Sequence, residues 1–277
     1  MNKGSENMKS INYLRQFGAD IDSSLELFGD EATYNETLTE FQRGIDGKLA
    51  EIDKYYQQAD MPNYAILVHS LKSDCKYFGF KELADIAYQH ELASKESNIN
   101  FVRTNYEKLV QEAKKVRRIV NDYFDDSIPE TAVNNVSPAV QENPAPAAKE
   151  NEDIILVADD SEVIRIFVKK IFDAEYELAF ATNGDEALNI IQEHATDNRI
   201  KAILLDLNMP VKDGFAVLDY LKDNNLLGVM PVTIVSGDSS KEAIDKAFAY
   251  NIVDMLSKPF NEEKIKEVVE RTINSRK

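Results

Sequence analysis

At 277 residues, with 43% hydrophobic and 29% charged residues, the chain has the composition of a soluble globular protein and length for two domains. Its longest apolar run is about five residues, too short to span a bilayer, and its single cysteine, Cys75, allows no intrachain disulfide. The net charge of −17 divides into −5 for residues 1–125, −3 for 126–151 and −9 for 152–277, so no segment offers the positive face that direct nucleic-acid binding needs.

No GxxxxGK or GxGxxG is present, which argues against an ATP-using kinase. The first residues, MNKGSENMKSINYL, lack the apolar core of a secretory signal, and the cytoplasm is the expected location.

Residues 1–125 read as helical. From Glu31 to Ala59 the apolar residues Tyr34, Leu38, Phe41, Ile45, Leu49, Ile52, Tyr55 and Tyr56 recur at roughly helical spacing, with Gly44 and Gly47 weakening the pattern. A second helix is expected from Pro62 to Phe78, ended by Gly79, a third from Lys81 to Ser94 and a fourth from Phe101 to Phe124. In the fourth, Phe101, Tyr106, Leu109, Val110, Ala113, Val116, Val120 and Phe124 are expected to face inward. Long amphipathic helices joined by short loops predict an antiparallel four-helix bundle.

On the second of these helices, Tyr64, Leu67, Val68, Leu71, Cys75 and Phe78 form the buried seam. His69 lies about 160–200° away from Leu67, Leu71 and Phe78, which predicts that it faces solvent beside Ala65, Lys72, Ser73 and Lys76. An exposed imidazole keeps a nitrogen lone pair available near neutral pH, and two ammonium groups favour a phosphoryl group on it. His90 and His194 are distant in sequence, and no metal-ligand cluster forms around His69.

Residues 126–151 contain Pro129, Pro138, Pro144 and Pro146 without apolar periodicity and read as a linker, spanning roughly 30 Å as a flexible coil. From residue 152 strands (154–158, 177–181, 202–206, 231–236, 252–256) alternate with helices (161–172, 184–194, 214–223, 240–249, 261–275). Strict alternation predicts a doubly wound, five-stranded parallel sheet with ligands at the carboxyl ends of its strands. The polar residues fall there: Asp159 and Asp160, Asp206, Ser236, and Lys258 before Pro259. Three carboxylates can gather around a hard cation such as Mg²⁺. Lys258 adds the second positive charge that a carboxylate nucleophile facing an anionic donor requires, and Ser236 can hydrogen-bond a phosphoryl oxygen. Gly237 leaves room for access, and Lys258–Pro259 is a candidate cis bond.

The acid pair, Asp206 followed by Leu-Asn-Met-Pro and Asp213-Gly214, Ser236-Gly237 and Lys258-Pro259-Phe260 closely resemble the receiver domain of two-component response regulators over residues 153–275. The resemblance implies a flavodoxin-like fold in which Asp206 is the phosphoacceptor and Asp159, Asp160, Asp206 and the backbone carbonyl of Asn208 hold Mg²⁺. It also makes Ser236 the switch hydroxyl and Lys258 the phosphoryl clamp. Met255 departs from the family's usual aromatic switch residue. Asn208 and Asp238 occupy positions that in the family tune hydrolysis, and two polar residues there imply a short-lived signal. The segment 252–275 is, by the same analogy, a candidate partner surface.

His69, Lys72 and Gly79, in AILVHSLKSDCKYFGFKELADIAYQHE, resemble the signature of the histidine phosphotransfer (HPt) domain, with Ser73 where a Gly is common. Together the two resemblances imply a phosphorelay protein whose partners are a sensor histidine kinase and other receiver or HPt domains. It would be a phosphotransfer protein rather than an enzyme with a separate substrate, though the receiver would catalyse its own phosphorylation and dephosphorylation. Two arrangements stay open: exchange between His69 and Asp206 of one chain, or separate partners for each. The alternatives are a receiver-controlled docking protein without transfer at His69 and a haloacid-dehalogenase-like hydrolase. The latter requires Asp-x-Asp where this chain has Asp206-Leu-Asn208.

Overall fold

The structure, a computed structural model, describes residues 8–124, 153–237 and 241–276. The expected linker 126–151 and Asp238 lie outside the described residues. The first part consists of α1 (Asn12–Gln16), α2 (Ile21–Phe28), α3 (Glu31–Gln57), α4 (Met61–Tyr77), α5 (Lys81–Lys95) and α6 (Ile99–Tyr123). The long helices begin where side chains can satisfy free N–H groups: Asp30 caps α3, Asp60 caps α4 with Pro62 in the first turn, and Asn98 caps α6. Helices α3 to α6 each pack on the next, and α6 returns onto α3.

The second part alternates as expected: β1 (Ile154–Ala158), α7 (Glu162–Phe172), β2 (Glu177–Ala181), α8 (Gly184–Glu193), β3 (Ile200–Leu205), α9 (Gly214–Asp223), β4 (Val232–Ser236), α10 (Lys241–Phe248), β5 (Asp254–Ser257) and α11 (Glu262–Asn274). All pairings are parallel, in the order β2-β1-β3-β4-β5. This is the flavodoxin-like strand order. Chain order reverses at β1, and the crevice between the ends of β1 and β3 is where such sheets bind ligands.

Side chains alternate across the sheet. Ile154, Leu156, Ile203, Leu205 and Ile234 share one core with residues of α8 and α9. Ile155, Val157, Leu204 and Val235 face α7 and α11, and their core runs on into the helical part without a break. Phe28 meets Phe167 edge-on with ring centroids 5.3 Å apart, and Tyr77 meets Phe260 edge-on at 5.9 Å. Both contacts join the two halves of the chain.

Two expectations about the helices are corrected. In α6 the fully buried residues include Val102, Ile119 and Tyr123, while Phe101, Tyr106, Val110 and Phe124 are only half-buried. Tyr106 instead stacks on Tyr56 at 3.6 Å and donates a hydrogen bond to Asp53, which holds it at the rim. Gly44, which reads as a weakness in α3, lies against α7: a Cβ there would sit 3.2 Å from Glu162 Oε2.

Candidate functional site

Because β1 and β3 are neighbours, the loops that follow them bring Asp159, Asp160 and Asp206 to one point, with carboxylate oxygens within 4.8 Å of one another. Asp206 is fully buried, Asp159 nearly so, and Asp160 half-buried. Lys258 directly follows β5, and its bond to Pro259 is cis. Its Nζ lies 2.7 Å from Asp159 Oδ2 and 2.5 Å from Asp206 Oδ2. The backbone N–H of Asn208 donates to Asp206 Oδ1 (3.0 Å), and that of Ser161 donates to Asp159 Oδ1 (3.0 Å). Ser236 is fully buried at the end of β4, and its carbonyl accepts a hydrogen bond from the Lys258 N–H (2.9 Å).

One ammonium among three carboxylates leaves this cluster short of positive charge. Burial pushes Asp159 up to about 7, opposed by Lys258 and reinforced by Asp206 and Asp160. Asp160 is also raised, by burial and then by Asp206. Burial works against the Lys258 ammonium, but the surrounding carboxylates more than offset it and hold its pKa above the usual lysine value. Asp160 Oδ1 is buried without a hydrogen-bond partner. An all-oxygen, negatively charged donor set with a spare buried oxygen fits Mg²⁺. Met255, at the position expected to switch, is half-buried against the core on the α8–α9 side of the sheet.

The expectation that His69 faces solvent is overturned: it is 1% exposed. The second half of the chain covers this face of α4. A Cβ on Gly237 would lie 3.3 Å from His69 Nε2 and 3.5 Å from Ser73 Oγ. The space that Gly237 leaves beside Ser236 is thus filled by the imidazole. Ala65, Lys72 and Ser73 of the same face are buried with it, and Lys76 stays exposed. A cleft of ≈ 310 Å³ remains between the halves, lined by Pro62, Ala65, Ile66, His69, Lys95 and Asn208 among others.

His69 Nδ1 lies 2.7 Å from Glu91 Oε1, an oxygen that can only accept, and 3.2 Å from Lys72 Nζ. Lys72 Nζ donates to Glu91 Oε2 (2.6 Å), and Lys95 Nζ to Glu91 Oε1 (2.7 Å). Burial works against the Glu91 carboxylate, but the hydrogen bond from His69 and the ammonium of Lys72 more than offset it and hold its pKa well below the ordinary range. Burial lowers the Lys72 ammonium, and Glu91 opposes that fall. His69 Nε2 is buried and has no hydrogen-bond partner. His90 is equally buried, yet both its nitrogens are engaged, by Tyr64 Oη at 2.7 Å and by the Asn105 carbonyl at 3.3 Å. The bare nitrogen is therefore a feature of the His69 site and not of burial alone.

A second polar connection crosses beside it. Lys48 Nζ pairs with Asp74 Oδ2 (2.5 Å) and donates to Ser70 Oγ (2.8 Å), while Asp74 Oδ1 accepts from Ser161 Oγ of the receiver (2.6 Å). Burial opposes the Lys48 ammonium, but Asp74 and Asp160 hold its pKa above the usual value. Further along, Lys170 Nζ donates to Thr33 Oγ1 (2.8 Å), and the Phe260 N–H donates to Tyr77 Oη (3.1 Å). Phe260 belongs to the 252–275 segment expected to meet partners, and here it meets the helical half.

Glu91, Lys95, Lys48, Asp74 and Ser161 were not singled out from the sequence. Two of them left a signal. Lys48 continues the stripe Phe41, Ile45, Ile52 of α3, and Glu91 continues Ala84, Ala87, Ser94 of α5. A charge within a buried stripe asks for a partner.

Residues 155–270 match the family model of the response regulator receiver domain, and this part of the chain is one. The transcriptional regulatory protein PrrA of Mycobacterium bovis is 37% identical over 109 residues, which are 39% of this chain and 43% of that protein. The probable C4-dicarboxylate response regulator DctR of Priestia megaterium is 31% identical over 121 residues, 43% of this chain and 50% of that one. The chain therefore spans half or less of the length of these two relatives. Among solved structures, the chemotaxis protein CheY4 of Vibrio cholerae is similar at 30% identity over 43% of this chain and 98% of its own, with a TM-score of 0.39.

Proposed function

We propose that the chain is a phosphorelay protein with two phosphoacceptors, Asp206 in the receiver and His69 on a four-helix bundle of the HPt kind, fed by a sensor histidine kinase and passing phosphate to other receiver or HPt domains. The observation that carries this reading is the state of His69: Nδ1 fixed by Glu91, Nε2 bare, and the ring lodged against Gly237 at the rim of the acid cluster. A nitrogen nucleophile needs its lone pair free and its other proton anchored.

At Asp206, the N–H of Asn208 holds one carboxylate oxygen and Lys258 the other. Lys258 and Ser236 would receive the oxygens of an arriving phosphoryl group, and burial strengthens these charge-assisted contacts. Mg²⁺, held by Asp159, Asp160 and Asp206 with the Asn208 carbonyl, would offset the negative charge of donor and acceptor. Lys72 would stabilise the phosphoryl group on His69. Catalysis here is positioning and charge neutralisation, so no separate substrate pocket is required and the chain acts as a phosphotransfer protein rather than a free-standing enzyme.

No described helix is long and apolar enough to cross a membrane, and the cytoplasm remains part of the proposal. Regulators such as PrrA carry transcription in their names; the acidic charge of this chain gives no reason to extend that to direct DNA contact. The burial of His69 under the receiver also suits a second reading, a docking regulator without transfer.

Incubation with a small acyl phosphate and Mg²⁺ separates these readings by the stability of the product bonds. The relay predicts both a hydroxylamine-labile and an acid-labile, base-stable phosphate in the unaltered chain, only the first in His69→Gln, and neither in Asp206→Ala. Absence of the acid-labile form under all conditions, with function lost in Asp206→Ala but kept in His69→Gln, would leave the docking reading.

A further inference from the structure

The two sites are complementary in charge and shape. The receiver offers three carboxylates against one ammonium, Lys258. The helical half answers with Lys72 and Lys95 around the single carboxylate of Glu91, and with Lys48 held by Asp74, close enough to Asp160 for their charges to interact. Between them stands the buried His69 Nε2, which like Asn208 Nδ2 has no hydrogen-bond partner, against a residue without a side chain. Asn208, two residues beyond Asp206, lines the same cleft as His69. Around this centre the contact is made by apolar rings (Phe28 with Phe167, Tyr77 with Phe260) and by the Ser161–Asp74 and Lys170–Thr33 hydrogen bonds.

We infer that the transfer partner of His69 is Asp206 of the same chain, and that the contact which brings them together shuts both sites to other proteins until it opens. The inference rests on the two-site reading above. In the step, the Nε2 lone pair attacks phosphorus of the Asp206 acyl phosphate. The phosphorus–oxygen bond to the carboxylate breaks and its electron pair returns to Asp206, where Lys258 balances the charge. The imidazole ring becomes positive and shares that charge through Nδ1–H with Glu91. No proton leaves and no further reactant enters. The reverse step uses the same groups. A second protein cannot reach Asp206 or His69 in this arrangement, because both are buried. The cleft beside Asn208 is wide enough for a small acyl phosphate.

The test compares the unaltered chain with an equimolar mixture of Asp206→Ala and His69→Gln chains, each also alone, using a small acyl phosphate and Mg²⁺ and following phosphate on His69. Transfer within one chain has an effective concentration on the order of millimolar. The unaltered chain should therefore label His69 at a rate independent of protein concentration. At micromolar protein the mixture should be slower by roughly 10²–10³-fold and second order. A mixture as fast as the unaltered chain would overturn the inference. Gly237→Val supplies an independent arm: its side chain meets the imidazole, so Asp206 should still be labelled while labelling of His69 falls at least about tenfold. Undiminished transfer in Gly237→Val would also overturn it. Phosphate on Asp206 and none on His69 in the unaltered chain sinks this inference and spares the receiver chemistry. No phosphate on Asp206 sinks the two-site reading itself.

Discussion

The acid cluster of the receiver and the His69 cluster of the helical half are both buried and both charged, but they are balanced in opposite senses. At the end of the sheet one lysine contacts two of three clustered carboxylates; beside α4 one carboxylate serves His69, Lys72 and Lys95. Buried charge is tolerated only when paired, so each cluster is incomplete alone and better matched when they face each other. An anionic phosphoryl group would find the positive charge it needs on both sides.

That comparison is broken most severely at Lys258. Lys258→Ala removes the cation that both Asp159 and Asp206 contact, and labelling of Asp206 by a small acyl phosphate should fall by roughly 10²–10³-fold. A loss below about tenfold would mean that the ammonium is structural only.

The corresponding change on the helical side is Glu91→Ala. It frees His69 Nδ1 and leaves the Lys72 ammonium buried without its carboxylate, at a cost of about 3–5 kcal/mol by chemical denaturation. Glu91→Gln should be milder in stability yet still slow labelling of His69, because an amide does not balance a positive ring. Equal labelling rates in Glu91→Gln and the unaltered chain would remove Glu91 from the account.

A smaller effect is expected where the halves are pinned. Ser161→Ala deletes the hydrogen bond to Asp74 and should cost about 1–2 kcal/mol, with both halves unfolding at lower denaturant if they unfold as one unit. Two separate transitions, the helical one unmoved, would show that the contact contributes little to stability.

The smallest effect sharpens the contrast between the two buried histidines. Burial depresses the pKa of His90 below 6.5, against the pull of the Asn105 carbonyl. The unfolded chain then binds a proton that the folded chain refuses, so this contribution is complete above about pH 6.5 and is lost as pH falls below it. The slope it adds is at most about 1.4 kcal/mol per pH unit, and His90→Gln should flatten it. An unchanged slope between pH 5 and 7 in that variant would assign the dependence elsewhere.

The receiver was legible because its information is local. Each site residue ends an apolar run, and β1, β2 and α9 fall on the expected residues. Even the cis bond at Pro259 and the room beside Ser236 could be anticipated. Strand β5 was displaced by two residues toward the N-terminus, because Ile252 and Val253 lead into an edge strand whose pairing starts at Asp254. The helical half was legible as helices but not as a surface. Residues Ala65, His69, Lys72 and Ser73 read as a solvent face, since a polar interface and a hydrated surface have the same periodicity. What pairs with that face comes from residues far along the chain, Glu91 on α5 and Gly237 after β4, and helical spacing on α4 carries no information about either. The charges inside the stripes of α3 and α5 were the available clue.

The central claim is that the face of α4 carrying His69 is held against the receiver. Acylation of imidazole by diethyl pyrocarbonate tests it within the native chain, which has three histidines. His194 retains partial exposure, while His69 and His90 are both 1% exposed. Peptide mapping after brief treatment should find the label on His194, with His69 as protected as His90. Label on His69 at the rate of His194 would mean that this face is open to solvent, and would contradict the account.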